Sequence, residues 1–538
     1  MNGEVDDTLR FQRAINEVRR IGGGTLQLGG ETYILSSLLT LTSDLTIAGV
    51  KNLTMLDAQT LPLGNQNTRP YLMQGIGSVK KTLRSTSAIV EGQTRIPISG
   101  DLTDVHVGDL LAIKSQERQY INAGSHIPYK EELQKIVEVD QVNATIVVDG
   151  GLMFDYHEDS QLLFDVIAPI SNVTLKNLEI TMGGKDSIHG GIQFSYAFNI
   201  VLDNIIVNGA ENVAVNMART YKFMIQNSVF LNSTSPNSIN FNSGYGVNVT
   251  STSCYGKIYY NVFDNCRHGI AGGNHAPHHI EIAENLLTNC RIGYAIDCHE
   301  PCIYWTIKAN TIRGCVSGIT ARGMYVTVSD NIINNLTGVG ISAGATSTLP
   351  LPFIKQYIIR NNRITNTEGR AINVTGTNGE IDDVIIQGNV CVNTERIRVN
   401  NSKNILVTNN FIDQQKVINP TRNSLQFVDC QNIDVHNNQL LGIGGYGVLI
   451  ENGSDIRITG NLMEQGGVSP NANDGIRAID CQQLQIISNQ FKNMIRLSTF
   501  TSNSDHIIFS NNMIKVNNED NFRFAGAQNV IETANIFL

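Results

Sequence analysis

The 538-residue sequence predicts an all-β solenoid, in which coils of short strands stack on one another. An Asn followed by an alternating apolar stretch recurs about every 21 to 34 residues, and β-branched pairs such as Ile332-Ile333 follow it. A repeat of this length is typical of coils that contact only their neighbours. Only 16% of the residues are charged, and the abundant Asn, Ser, Thr and Gly suit stacked turns. The repeat positions are Asn177, Asn204, Asn227, Asn261, Asn285, Asn310, Asn331, Asn362, Asn389, Asn410, Asn438, Asn461, Asn489, Asn512 and Asn535.

Residues 1–50 are expected to form an N-terminal capping helix and the first strands. Residues 5–20 have the pattern of one amphipathic helix, which the run Gly22-Gly23-Gly24 ends. We expect this helix to cover the open end of the strand stack, because an uncovered strand edge can pair with other chains. The predicted apolar stripe of the helix consists of Leu9, Ala14, Ile15 and Val18, and strands are expected at 25–28, 32–34 and 45–47.

The remaining chain divides where the Asn repeat lapses and returns. Residues 51–87 are assigned to the start of the solenoid and 88–165 to a small inserted β subdomain with its own turns. Residues 166–538 are assigned to the main solenoid. Because the last repeat begins at Asn535, we expect either that the sequence is truncated there or that another chain covers the strand edge.

The charge balance argues against several partners. The formal net charge is −9 without a basic run, which disfavours nucleic acid or an anionic membrane as the main partner. The sequence contains no stretch of 18 apolar residues, so membrane insertion is not expected. The start at Met1-Asn2-Gly3-Glu4 lacks the basic and apolar regions of a signal peptide.

The cysteines follow the repeat. Cys266, Cys290 and Cys315 each lie a few residues beyond a repeat Asn, which places one thiol in each coil. We expect buried thiols there rather than disulfides or metal ligands. The spacing of Cys298 and Cys302 is by itself a weak indication of metal binding.

Two sequence features resemble the right-handed parallel β-helix superfamily, which contains pectate-lyase-like enzymes and phage tailspikes. The opening run Asp6-Asp7-Thr8, Gly22-Gly23-Gly24-Thr25-Leu26 and Gly30-Glu31-Thr32-Tyr33 is similar to the usual start of that group. The Asn repeat extends the resemblance over most of the chain. The resemblance implies a right-handed parallel β-helix. Its tailspike members further imply a homotrimer on a viral tail that acts on a bacterial surface polysaccharide.

Histidines mark a candidate site, because five of the eleven fall within residues 268–299. Aligning the coils at a constant distance from each repeat Asn places Gly269, Gly293 and Gly318 level with one another. Because side chains alternate along a strand, Tyr294 is then expected to point inward, and the residues of the opposite parity form a column that faces solvent. The predicted column contains Gly273, Asp297 and Arg322, followed by His275 and His299. One coil earlier, Asn240 and Asn242 are expected to bind sugar hydroxyls.

Such a column would hold a base, a carboxylate and a cation within reach of one sugar unit. Asp297, His299, Arg322 and His275 are therefore candidate catalytic residues. A carboxylate pair for hydrolysis is also available in Asp297 and Glu300.

The segment Tyr294-Ala295-Ile296-Asp297-Cys298-His299-Glu300 also resembles the active-site motif of alginate C5-epimerases and related uronate lyases. The resemblance implies that His299 and Tyr294 transfer protons at C5 of the sugar while Asp297 organises the site. Arg322 stands where the epimerases carry an acidic residue, and we expect it to neutralise a substrate carboxylate or phosphate, which favours cleavage. Glu300 is assigned to substrate binding.

The leading functional hypothesis is a tailspike-like depolymerase, located on a virion tail or outside the cell. It would bind and cleave a bacterial surface polysaccharide by glycosidic hydrolysis or by uronate β-elimination. The alternatives are a teichoic-acid-type phosphodiesterase, a uronan C5-epimerase and a non-catalytic receptor-binding tail fibre. No cofactor is expected, although phosphodiester cleavage often uses a divalent metal.

Overall fold

The computed structural model describes residues 6–62, 70–85, 87–118, 129–157, 162–184, 189–234, 243–345, 355–376, 381–415, 423–466, 474–494, 496–500, 503–516 and 526–537. The chain forms two compact units, residues 1–305 and 306–538. Each unit is built from parallel β-coils, which confirms the all-β parallel solenoid that the repeat predicts.

The first unit begins with helix α1 (Thr8–Arg20), and its strands pair in parallel with the equivalent strand one coil later. Along each strand the residues alternate between the interior and the surface, so that Val247, Ile270 and Ile296 share one interior column. The solenoid strands of this unit are β1 (Gly24–Gln27), β2 (Thr32–Ile34), β3 (Leu39–Thr40), β4 (Leu45–Ala48), β5 (Met55–Ala58), β6 (Tyr71–Ile76), β13 (Ile170–Met182), β14 (Gly190–Asn208), β15 (Val213–Gln226), β16 (Val229–Leu231), β17 (Tyr245–Thr250), β18 (Cys254–Tyr259), β19 (Val262–Asp264), β20 (His268–Gly273), β21 (His278–Ala283), β22 (Leu286–Thr288) and β23 (Tyr294–Lys308).

Helix α1 packs on β1, β3 and β4, as expected for a cap on the first strands. Its buried face consists of Thr8, Phe11, Ile15 and Val18. The predicted stripe is wrong at Leu9, which is 74% exposed. Because the helix begins at Thr8, Leu9 lies in its first turn on the solvent side, and Phe11 occupies the interior instead.

The inserted subdomain is a six-stranded antiparallel sheet over residues 78–168. The sheet is wider at both ends than the predicted segment 88–165, because β7 and β12, which flank that segment, pair with each other. Glu132 on β10 is fully buried, and its carboxylate accepts hydrogen bonds from Tyr156, Gln134 and the Met153 N–H. Burial raises the pKa of Glu132 to about 7. The strands are β7 (Ser78–Arg84), β8 (Arg95–Pro97), β9 (Leu110–Arg118), β10 (Tyr129–Asp140), β11 (Thr145–Val148) and β12 (Leu163–Ala168).

The second unit continues the same alternation in shorter strands. These are β24 (Thr311–Arg313), β25 (Ser317–Met324), β26 (Val326–Ser329), β27 (Ile332–Leu336), β28 (Ile341–Ala345), β29 (Lys355–Arg360), β30 (Arg363–Thr367), β31 (Ile372–Gly376), β32 (Ile381–Gln387), β33 (Val390–Val392), β34 (Ile397–Thr408), β35 (Phe411–Asp413), β36 (Leu425–His436), β37 (Gln439–Ile443), β38 (Val448–Glu451), β39 (Ser454–Thr459), β40 (Leu462–Gln465), β41 (Asp474–Ile479), β42 (Gln482–Ile487), β43 (Gln490–Met494), β44 (Arg496–Phe500), β45 (Asp505–Ser510), β46 (Met513–Val516), β47 (Gln528–Thr533) and β48 (Ile536–Phe537).

The repeat Asn residues explain why the coils stack in register. In the second unit, Asn410 Nδ2 donates to Asn438 Oδ1 at 3.0 Å and to the Ile386 carbonyl at 2.9 Å, and the same pattern runs from Asn310 to Asn535. These side chains satisfy turn backbone groups that would otherwise be buried without partners. The early repeat positions Asn177 and Asn204 differ, since they lie one step outside the buried column, at positive φ.

All nine cysteines are free and buried, which confirms the expectation of buried thiols for Cys266, Cys290 and Cys315. Cys298 and Cys302 are also interior residues. Cys302 Sγ donates a hydrogen bond to the His299 carbonyl oxygen at 2.8 Å.

Candidate functional site

The candidate site of the first unit is a carboxylate held between two imidazoles. Asp297 Oδ2 lies 2.9 Å from His299 Nε2 and 3.3 Å from His268 Nε2. The side chains of Asp297 and His268 are each 6% exposed, whereas the side chain of His299 is 49% exposed. The arrangement therefore presents one imidazole to solvent above a buried carboxylate.

Strands β20 and β23 place these side chains. Ile270 pairs with Ile296 and Ala271 with Asp297, so the interior residues Ile296 and Cys298 alternate with the outward Asp297 and His299. Two outward residues separated by one interior residue lie on the same face of a strand. This alternation brings Asp297 and His299 into contact.

The predicted register between these two strands is wrong by two residues. Asp297 lies opposite Ala271 rather than Gly273, and Gly293 is not level with Gly269. The reason is a longer turn before β23, where exposed Arg291 and Ile292 and a positive-φ Gly293 add two residues that constant spacing does not allow for.

Gly273 instead approaches His299. A Cβ atom at Gly273 would lie 2.6 Å from the His299 Cβ, and Gly273 has a φ of +152°. Both the conformation and the close approach favour glycine at this position. The missing side chain at Gly273 therefore makes room for the His299 side chain and does not leave an open space beside Asp297.

His268 is the partner that sequence reasoning missed. Its Nδ1 lies 2.6 Å from the Tyr294 carbonyl oxygen, which can only accept, so Nδ1 carries a proton. Burial lowers the pKa of His268, although the Asp297 carboxylate opposes this effect. His268 belongs to the histidine cluster and directly precedes Gly269, and this position was the one sequence signal that could have marked it. Its contact with Asp297, however, can be predicted only from the correct register between β20 and β23.

This geometry determines which nitrogen of His299 can act as a base. His299 Nε2–H can donate to Asp297 Oδ2, which lies 2.9 Å away. The His299 Nδ1 lone pair then remains available to accept a proton. Asp297 orients the ring and stabilises the positive charge that develops on it.

The other predicted residues lie in different environments. His275 follows β20 in a left-handed turn, and its Nδ1 lies 3.6 Å from Glu131 Oε2 of the insertion, so its predicted place level with His299 is wrong. Tyr294 is half-buried, and Glu300 is buried before the cis Pro301 bond. Arg322 is half-buried on β25 of the second unit. Asn240 and Asn242 lie outside the described residues.

An aromatic stack runs along a second face of the first unit. The ring centroids of Tyr255 and His279 are 5.1 Å apart, and those of His279 and Tyr304 are 4.7 Å apart. His279 and Tyr304 are exposed, as sugar stacking requires. Tyr255 also lines a groove of about 570 Å³ beside Asp149 of the insertion and Lys257 of β18.

His278, directly beside this stack, is fully buried. Its Nδ1 lies 2.8 Å from His279 Nδ1, and within the described ranges its Nε2 has no hydrogen-bond partner. Burial lowers the pKa of His278 to about 3. The side chain is therefore a neutral, interior imidazole.

Among the residues that the structure describes, no three His, Cys, Asp or Glu side chains converge in a way that could hold a metal ion. No helix in this part of the chain is long and apolar enough to cross a membrane.

Comparison with known proteins agrees with the architecture. A family model described as right handed beta helix region matches residues 315–469 and 353–514. The match covers less than half of the chain and agrees with the parallel β-solenoid of both units. The comparison with curated protein sequences found no match.

Solved structures of phage tailspikes are similar in fold. The tailspike protein gp49 from Pseudomonas phage LKA1 has a TM-score of 0.58 at 14% identity, over 88% of this chain and 75% of that one. The Pseudomonas phage phi297 tailspike gp61 has a TM-score of 0.54 at 13% identity, over 88% and 73% of the two chains. At these identities the likeness shows the fold alone.

Proposed function

We propose that the protein is a tailspike-like depolymerase, which cleaves a uronate-containing bacterial surface polysaccharide by β-elimination. The observation that carries this proposal is the contact between buried Asp297 and half-exposed His299. A histidine backed by a carboxylate is suited to remove a proton from carbon next to a carbonyl group. The tailspike-like fold supports the choice of polymer, and the exposed stack of His279 and Tyr304 offers a surface for sugar rings.

In the proposed reaction, His299 Nδ1 takes the proton from C5 of the uronate. The electron pair forms the C4–C5 double bond, the bond from C4 to the glycosidic oxygen breaks, and that oxygen leaves with a proton from Tyr294 or water. The negative charge that develops on the substrate carboxylate needs a cation to stabilise it. Arg322 of the second unit is retained as the candidate that the sequence suggests for this role. The products are an unsaturated uronate and a shortened chain.

This geometry favours elimination over hydrolysis. Hydrolysis needs two carboxyl groups facing the sugar, one as acid and one as base or nucleophile. Asp297 is buried beneath an imidazole, and Glu300 is only 7% exposed. Glu300 is assigned to substrate positioning, as are Asn240 and Asn242.

C5-epimerisation is the second candidate, since it begins with the same proton transfer. The Tyr294 to Glu300 segment carries the epimerase-like motif, and the Asp297–His299 contact fits the first step of both reactions. The two reactions differ only in whether the carbanion loses the glycosidic oxygen or regains a proton.

The test is incubation with capsular, O-antigen, teichoic and alginate polymers, followed by chain length and unsaturated-uronate absorbance. We expect shortening with new absorbance, and His299→Ala should lower the rate by roughly a hundredfold or more. His436→Ala is the matched control, because His436 Nδ1 lies 3.1 Å from Asp434 in the same Asp-x-His spacing.

Three results would overturn the proposal. Full activity in His299→Ala would show that His299 is not the base. Shortening without absorbance would indicate hydrolysis or phosphodiester cleavage. Inverted C5 centres in polymer of unchanged length, observed by NMR, would establish the epimerase. Circular dichroism of each variant checks that the fold is retained.

We further propose that the protein acts as a homotrimer on a virion tail or outside the cell, as tailspikes do. The support is the solenoid fold that it shares with the two Pseudomonas phage tailspikes.

A further inference from the structure

The second unit carries a cluster of arginines that the proposed reaction does not use. Arg398 on β34 and Arg477 on β41 belong to one outward column, three rungs and about 14 Å apart. Arg370 and Arg396 lie in the turns before β31 and β34 on adjacent coils, where the Ala371 N–H bonds to the Arg396 carbonyl at 3.1 Å. All four arginines are half-buried.

Neutral groups hold two of these guanidinium groups in place. Arg370 Nη1 donates to Asn373 Oδ1 at 3.1 Å. Arg477 donates to the Tyr446 hydroxyl, and its guanidinium carbon lies 5.1 Å from the centre of the Tyr446 ring. The contacts orient the side chains without neutralising their charge.

The acidic neighbours of the cluster include Glu451, Glu368 and Glu395. Arg396 Nη1 donates to Gln426 Oε1 at 2.7 Å, and Gln426 Nε2 donates to Glu451 Oε2 at 3.3 Å. Glu368 and Glu395 belong to the same turns as Arg370 and Arg396. Arg398 and Arg477 lie within the strands themselves.

Arg398 has the fewest hydrogen-bond partners of the four arginines. Within the described residues its guanidinium makes no hydrogen bond or ion pair, and its buried Nε has no partner. The Nε atoms of Arg370 and Arg477 are also buried without partners. Burial and the neighbouring Arg370 lower the pKa of Arg398, while Glu451 opposes this. A buried N–H without an acceptor destabilises the fold, so Arg398 has N–H groups to which a ligand can supply acceptors.

We propose that this cluster binds the acidic groups of a polysaccharide, with Arg398 as the central contact. Guanidinium forks match carboxylate, sulfate and phosphate oxygens, which can bond to two N–H groups at once. The distance from Arg398 to Arg477 is longer than a single anionic group, so the two arginines together suit a polymer that carries repeated charges. Tyr446 adds a ring face between them for a sugar.

The test is affinity electrophoresis against polygalacturonate, dextran sulfate, poly(glycerol phosphate) and neutral dextran. The first three polymers distinguish carboxylate, sulfate and phosphate sources of the same chemistry. We expect at least one acidic polymer to bind and neutral dextran not to bind. Arg398→Gln should weaken binding by about tenfold, because it removes a charge-assisted contact.

Arg457→Gln is the control, because Arg457 is exposed and pairs with Asp434 at 3.2 Å outside the cluster. Equal weakening by this variant, unchanged binding in Arg398→Gln, or equally tight binding of duplex DNA would overturn the proposal. If Arg398→Gln does not fold, Arg477→Gln provides the same comparison. His299→Ala should bind as tightly as the parent, so this site is tested independently of the proposed cleavage.

Discussion

At the residue scale, the candidate site depends on one carboxylate oxygen and two imidazoles. Asp297 is nearly inaccessible, yet it contacts the half-exposed His299 and the buried His268. In the proposed reaction the three side chains have different tasks. His299 can reach a substrate, Asp297 orients it, and His268 occupies the interior side of the carboxylate through its bond to the Tyr294 carbonyl.

A second buried histidine predicts a pH dependence of stability. The pKa of His278 falls to about 3 in the folded protein, below its unfolded value of about 6.5. As the pH falls below about 6.5, His278 becomes protonated in the unfolded chain but stays neutral in the folded protein. The free energy of unfolding therefore falls by up to roughly 1.4 kcal/mol per pH unit. His278→Leu should reduce this loss between about pH 7 and about pH 5, measured by denaturant unfolding.

The comparison must be made between variant and parent, because Glu132 acts in the opposite direction. Its pKa is raised to about 7, so its contribution to stability is lost as the pH rises from its unfolded value of about 4.3 through 7. This contribution cancels in the difference between the two proteins. The same slope in His278→Leu and parent would contradict the assignment.

At the element scale, the buried Asn column ties each coil to the next. Each of these side chains accepts from the preceding Asn and donates to a carbonyl one coil away, as Asn410 does toward Ile386. Strand alternation alone does not specify which coil positions stack. The Asn column supplies that register wherever its spacing is kept.

Truncating one member should destabilise the solenoid locally. Asn410→Ala would leave the Asn389 N–H and the Ile386 carbonyl without their partners. We expect a loss of roughly 3 kcal/mol, since each unsatisfied buried group costs about 1–3 kcal/mol. Amide hydrogen exchange across β33 to β37 measures the change in local opening.

The control is Asn432→Ala, because the exposed Asn432 also donates to an Asn one coil away, at 2.7 Å from Asn404 Oδ1. Water can replace that contact, so we expect a change below about 0.5 kcal/mol. Equal losses in the two variants would show that burial of the column is unimportant.

At the scale of the whole molecule, a net charge of −9 would repel an acidic polymer at long range. Binding such a polymer therefore needs a local concentration of positive charge, and the arginine cluster around Arg398 provides one. Screening at physiological salt limits the repulsion to about 8 Å, so the local cluster decides the contact.

The proposed assembly is also tested at this scale. Light scattering coupled to size-exclusion chromatography should give a mass of three chains of 59.0 kDa each. A single-chain mass at micromolar concentration would contradict the homotrimer. The cleavage and polymer-binding assays stand independently of this result.

Sequence patterns alone predicted the solenoid, the buried thiols and the short segment that contains Asp297 and His299. These features follow from local patterns, because alternation and a repeated Asn act within one coil or between adjacent coils. Three contacts were visible only in the folded chain: His268 with Asp297, His275 with Glu131, and the arginines of β34 and β41 on one face. Coil lengths vary with the turns between strands, and a two-residue turn extension shifts the side chains of the strand that follows it. Contacts between coils therefore depend on turn lengths that the periodicity does not contain.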